Sequence, residues 1–424
     1  MMIPDSEASP LRAADIDNSS PFSPLSSSHP PKNIRRMKST RLVISLLLLT
    51  LGLGLHAAES SDSTATTSAP RRHGLVGRVI QYFDEANKPK PQKKVDFSII
   101  GGPSYSNDAK FGIGLVAAAI YRPDMADSTL MPSNVSLYGE VTTAMLYLVG
   151  IRGNHIAPHD RFRVNYNVNF FSFPTKFWGI GYEKAMRSIN ETDYKEFRLR
   201  LQGEFLYNFG HGFYAGPEAD FYLIRAGKVD ESALPLWEGE SLRTTSVGAG
   251  IVAAWDTRDN LTAPTSGWYI RAEQKFFPRF MGNGNYSFSL TEVGINKYAK
   301  VWRGGVLAGR LHVAATYGHT PWGLLPTVGG SYTMRGYYEA RYRDKTSADF
   351  TLELRQHVWR RSGIAVWVGV GAVEPSLAKI NIHKLLPNAG IGYRWEFKKN
   401  TNVRLDFGIG RHTTGFVFNI NEAF

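Results

Sequence analysis

The chain has 424 residues, with 24 Phe, 20 Tyr, 9 Trp and 41 Gly but only 20% charged residues, richer in strand and turn formers than a row of soluble domains. With no cysteine there is no disulfide framework, thiolate metal site, cysteine nucleophile or lipid-modified N-terminal cysteine. The net charge of +12 is spread thinly, 13 Lys/Arg against 8 Asp/Glu in residues 1–94 and 36 against 29 beyond, with no dense basic run, which excludes a phosphate-tracking stripe and nucleic acid as a partner.

Residues 1–36 are rich in Ser, Pro and Asp and would make an odd preface to a secretory signal. Leu42–Leu55 is the only long uncharged apolar run. Arg35, Arg36, Lys38 and Arg41 precede it, and Leu55-His56-Ala57-Ala58 ends it. A basic stretch, a short apolar core and small residues at a cleavage site make a secretory signal, and the run is short for a membrane-spanning helix. The reading is a non-native leader at 1–36, a start at Met37, a signal peptide over 37–57, and export.

Residues 58–93 begin as a Ser/Thr/Ala-rich linker. Leu75, Val76, Val79, Ile80 and Phe83 then fall at helical spacing until Pro89 and Pro91 end the pattern. This short amphipathic helix lies on a membrane surface, sits at or inside a barrel mouth, or packs on the body of the protein.

From residue 94 to 424 the sequence alternates with period two between turn residues. Phe197, Leu199, Leu201, Phe205 and Tyr207 alternate with Arg198, Arg200, Gln202 and Glu204; Val403, Leu405, Phe407 and Ile409 alternate with Arg404, Asp406, Gly408 and Gly410. Apolar faces on roughly ten-residue strands in an exported chain, with aromatics near strand ends, predict an all-β fold: an antiparallel transmembrane β-barrel of about 16 strands in the bacterial outer membrane. A seventeenth segment near 176 is best merged with a neighbour, since such barrels have even strand numbers. Phe416, Phe418, Ile420 and Phe424 are expected on one face of the last strand. That pattern resembles the C-terminal signal read by the outer-membrane insertion machinery.

Three stretches together resemble the barrel of the BamA/TamA superfamily, the bacterial surface antigen family. They are Asp256-Thr257-Arg258-Asp259 with Pro264 and Gly267, Met334-Arg335-Gly336-Tyr337, and the closing run from Gly392-Tyr393-Arg394-Trp395 to Phe424. The resemblance implies a strand-end motif at the first and the tip of a long sixth extracellular loop at the second. It sends Arg335 into the lumen, where Glu353 is the first-choice partner and Asp406 the second; Asp256 and Asp259 come third, as strand-end residues expected rather to cap a turn. Two features depart from the family. Only about 36 residues separate the cleavage site from the first strand, too few for a POTRA module of about 75 residues. The aspartate expected in the strand after Glu353 is absent from Val368-Gly369-Val370-Gly371.

No Gly-x-Ser-x-Gly occurs, and the 11 His form no helical ligand pair, so neither enzyme activity nor a cofactor or metal is expected. Glu353, Arg355 and His357 share the lumen face of one strand and suggest a catalytic cluster, but a charged lumen face is the default for such strands. The resemblance implies assembly, insertion or translocation of proteins, or of lipids, through a lateral seam. The partners would be outer-membrane lipid, the insertion machinery during biogenesis, and client proteins. The alternatives are a passive solute channel and a soluble secreted β protein. Sequencing the mature N-terminus is expected to give Ala58 or Glu59, and deleting codons 1–36 to leave export unchanged; loss of export would assign the leader a role.

Overall fold

The structure, a computed structural model, describes residues 95–106, 110–123, 132–398 and 401–424. The leader, the signal peptide, the linker and the amphipathic helix lie outside the described residues. The wall begins with β1 (Val95–Ser106), β2 (Lys110–Tyr121), β3 (Ser133–Thr142), β4 (Tyr147–Ile156), β5 (Phe162–Phe177) and β6 (Thr192–Gly210). It continues with β7 (Phe213–Gly227), β8 (Arg243–Asp256), β9 (Gly267–Phe277), β10 (Ser287–Trp302) and β11 (Gly305–His319). A small ribbon, β12 (Thr327–Val328) with β13 (Tyr342–Arg343), lies in the long connection after β11. β14 (Thr346–Trp359), β15 (Ser362–Glu374), β16 (Leu386–Lys398), β17 (Thr401–Gly410) and β18 (Thr413–Ile420) complete the wall.

Each wall strand pairs antiparallel with its neighbours in the chain, β11 with β14 across the ribbon, and β1 meets β18 to close a barrel of 16 strands. No strand begins near 176. There β5 ends at Phe177 and the chain enters a loop with a short helix, Tyr182–Met186. Phe177, Trp178 and Tyr182 are buried among loop aromatics instead of facing lipid, which is why the alternation is ambiguous at that point.

Burial is inverted relative to a soluble protein. On β14, Phe350 is 44% exposed while Asp349 and Glu353 are buried; on β17, Phe407 and Ile409 are exposed while Arg404 and Asp406 are at 0%. Period two puts successive side chains on opposite faces, so the oily face turns outward to lipid and the charges line the lumen. Closure satisfies the backbone groups that an open edge would leave bare in hydrocarbon.

One rim carries the short turns 211–212, 303–304 and 360–361. The other carries the long connections 178–191, 228–242, 320–345 and 375–385, the side that faces out of the cell in barrels of this kind. Those long loops pack on one another. The Phe177 ring lies tilted 4.2 Å from that of Trp237 and edge-on 5.8 Å from that of Trp322, and the Trp322 indole N–H donates to the Ser241 carbonyl at 3.0 Å. Arg341 donates to the Ala185 carbonyl at 3.0 Å, tying the long connection to the short helix. The outer mouth is thus covered by an aromatic dome.

The folded barrel is expected to migrate faster on a gel unheated than boiled. Ile251→Arg, outward on β8, should cost about 2–4 kcal/mol if near the bilayer midplane, and Ile251→Leu almost nothing, as read by the temperature at which the fast band is lost.

Candidate functional site

The long connection 320–345 descends from the dome and lays Met334-Arg335-Gly336-Tyr337 against the inner wall. Arg335 is 1% exposed. A guanidinium so placed needs acidic partners, because desolvating an unpaired charge costs several kcal/mol. It has two: one terminal nitrogen pairs with Glu353 on β14 and the other donates to Asp406 on β17 at 2.7 Å. The Trp367 ring of β15 lies under the guanidinium, 3.6 Å from its carbon to the ring centroid.

Those carboxylates are held in turn. Asp406 accepts from Arg394 on β16 at 2.5 Å and from Arg404 at 2.7 Å, and Glu353 accepts from Arg355 at 2.6 Å. Arg394 also donates to Glu422 at 2.8 Å. Four guanidiniums and three carboxylates thereby form one network across β14, β16, β17 and the C-terminal segment. The strand after Glu353 offers Trp367 where the family pattern has a nearby aspartate; the second acidic contact comes from Asp406 instead.

The backbone of the tip is stitched to the last three strands. The Asn388 amide of β16 donates to the Arg335 carbonyl at 3.1 Å, and the Thr413 hydroxyl of β18 to the Gly336 carbonyl at 2.9 Å. The Tyr337 hydroxyl donates to the Pro387 carbonyl at 2.7 Å and accepts from the Arg411 N–H at 2.8 Å. Close approach demands glycine on both sides. Gly336 has φ +113°, and a Cβ on Gly408 would collide with the Arg335 carbonyl.

The strand-end motif lies elsewhere, at the rim of short turns. Arg258 makes a bidentate pair with Asp256 at 2.9 and 2.8 Å and lies 4.0 Å over the Tyr269 ring. Asp259 accepts from the Thr265 and Ser266 N–H groups at 2.8 and 3.1 Å. Burial pushes its carboxyl up, but these bonds and that of the Thr265 hydroxyl hold it below the usual carboxylate range. Pro264 sits within this turn, and Gly267 has φ +103° where a Cβ would strike the Thr257 carbonyl. Neither aspartate meets Arg335.

The C-terminal residues depart from expectation. β18 ends at Ile420, and Asn421, at φ +68°, turns the chain into the lumen. Glu422 then joins the arginine network, its N–H donates to the Thr262 carbonyl at 3.4 Å, and a Phe424 oxygen accepts from Arg355 at 2.9 Å. Phe424 therefore does not continue the face of Phe416 and Phe418, since the left-handed residue breaks the period of two. His357 also leaves its expected cluster: it lies exposed at the end of β14, its ring nitrogen bonded to the Arg360 carbonyl at 2.6 Å.

Sequence reasoning did not find Arg394, Arg404 and Glu422 as members of the network, nor the glycine wall of Gly408, Gly410 and Gly415. A second charged group, running from β6 and β7 through β9, β10 and β11 to Asp349 on β14, was missed as well. Arg271 pairs with Glu204 and Glu273 at 2.7 and 2.8 Å, Lys275 with Asp220 at 2.7 Å, and His312 bridges Glu292 and Asp349 at 2.8 and 3.1 Å. Alternation marks all of these as inward but gives no angle around the barrel. Among the described residues no cluster is suited to a metal ion.

A family model for the Omp85 superfamily domain matches residues 153–424. The chain belongs to the Omp85 superfamily. This Omp85 barrel is an integral β-barrel of the outer membrane. Its fold is similar to that of BamA from Haemophilus ducreyi lacking POTRA domains 1–3: TM-score 0.53 and 13% identity over 78% of this chain and 71% of that one. It is also similar to CdiB from Acinetobacter baumannii, with TM-score 0.51 and 10% identity over 78% of this chain and 60% of that one. No curated protein matches the sequence at a significant level.

Removing one partner of a buried pair costs about 3–5 kcal/mol locally, because the other charge is left bare. Arg335→Ala and Glu353→Ala should each make the 320–345 loop protease-sensitive and lower the melting temperature of the barrel, with the double variant little worse than either single. Additive effects, or two variants that behave like wild type, would show that the pair does not hold the loop.

Proposed function

We propose that this Omp85 barrel assists the assembly, insertion or translocation of proteins at the outer membrane by opening between β1 and β18. The observation that carries the reading is the shortness of that junction. β1 pairs with β2 along its whole length, but meets β18 only where Tyr105 and Ser106 face Phe418 and Val417. Among the described residues, the rest of the β1 edge has no strand on that side.

An unpaired edge is a template for an added strand, and main-chain hydrogen bonds recognise any extended polypeptide whatever its sequence. The loop tip is fastened to β16, β17 and β18 and β1 is fastened along its length to β2, so both banks are firmly held while the junction between them rests on a few bonds. The dome over the outer mouth speaks against the rival reading of a passive channel, since solutes would have to pass a packed aromatic layer. Clients by this reading are polypeptides able to form strands. The C-terminal face of Phe416 and Phe418 would serve the barrel's own insertion.

The chain has no cysteine, so a single engineered disulfide can test this. Tyr105→Cys with Phe418→Cys places a cross-link at a paired position. In cells depleted of the wild-type protein, the oxidised double variant should fail to restore the outer-membrane proteins lost on depletion, and a reductant should restore them. A locked barrel that works as well as wild type would sink the seam reading. Selective ion conductance with no protein lost on depletion would establish the channel.

A further inference from the structure

Outside the barrel, at the rim of long loops, a cavity of about 450 Å³ opens on the membrane side of β5 to β8. It is lined by Ser172, Lys195, Phe197, Leu223, Arg225, Gly227, Lys228 and Arg243, of which four are cations and none is an acid. The register explains the grouping. Ser172 faces Phe197, Phe197 faces Arg225, and Arg225 faces Arg243, one outward row across four strands. Lys195 stands one row nearer the rim opposite Gly227, and Lys228 comes next as the chain leaves β7. One row deeper the same face presents Phe170, Leu199, Leu223 and Thr245.

Cations on a lipid-facing wall are costly unless they sit at the headgroup level or meet an anion. Here the charges stand where the strands leave the hydrocarbon, above an apolar floor, and no described residue makes an ion pair with any of the four. Asp193, two residues before Lys195 on β6, stands opposite Lys176 in the register, and Asp230 accepts from the Ser232 N–H at 2.9 Å; neither forms an ion pair with the four cations. By contrast, the lumen charges described above are paired.

We infer that this cavity is a binding site for a phosphate-bearing lipid of the outer leaflet, of the lipopolysaccharide class, with Lys195, Arg225, Lys228 and Arg243 on the phosphates. Phe197 and Leu223 would carry the first segment of an acyl chain. Arginine suits this role because its fork presents two donors to a phosphate oxygen pair, and lysine adds a compact charge beside it. The occupant is amphiphilic because the cations and the oily floor lie on successive rows of one face.

The test uses the full-length barrel in detergent and native mass spectrometry, with phosphorylated lipid A and the same lipid stripped of its phosphates as probes. The wild-type barrel should retain the phosphorylated form and lose the stripped one. Millimolar inorganic phosphate should leave the complex intact. Arg225→Gln with Arg243→Gln should retain the phosphorylated lipid roughly tenfold less well, the effect of losing two surface ion pairs, and still run as the fast unheated band. Equal retention of the two lipids by wild type would overturn the proposal, as would undiminished retention by a folded double variant. Displacement by free phosphate would show an anion site without lipid specificity, and displacement by an acidic peptide a protein-docking site; either overturns it. The comparison of the two lipids on the wild-type barrel stands even if the double variant does not fold.

Discussion

The guanidinium of Arg335 is the centre on which the distal half of the barrel depends. A full positive charge at 1% exposure is untenable alone, so two carboxylates converge on it from strands that are not neighbours. Those carboxylates, equally buried, call in Arg355, Arg394 and Arg404, and the surplus positive charge draws Glu422 inward. The result is a polar core in place of an apolar one. What hydrophobic packing does for a soluble domain, interlocked ion pairs do for this lumen, with geometry fixed by bidentate and bridging contacts.

The tip of the loop also shows how shape and charge cooperate. Glycines at 336, 408 and 415 let the backbone of the loop lie directly on the backbone of β17 and β18, and Gly410 makes room for the Tyr337 ring. Without that approach the guanidinium would stop short of its acids. Glycine weakens a strand, yet here each missing side chain is occupied by another part of the chain, so the weakness is local to a surface that is always covered.

Much of the fold was legible because lipid imposes a strict rule. Alternation on β6 and β17 could mean only one oily and one charged face, and the strand boundaries are set by turn residues. It failed where lipid does not dictate, at Phe177, Trp178 and Tyr182, whose aromatic rings serve the dome. The site was legible only one residue at a time. Alternation says that Glu353, Arg394, Arg404 and Asp406 point inward, but placing them around one point requires the tilt and register of the closed wall. Phe424 was misjudged because a single residue, Asn421, takes a left-handed conformation that no periodicity announces.

The buried tip imposes an order on the making of the molecule. The segment 320–345 is anchored at both ends in the wall, through β11 and β14, yet its tip bonds to residues as far along the chain as Asp406 and Thr413. Those bonds cannot exist until the last strands have been laid down. The loop therefore locks in place only once the final three strands are there to receive it. Contacts so distant in sequence are slow to form, so the tip is among the last parts of the molecule to reach its place.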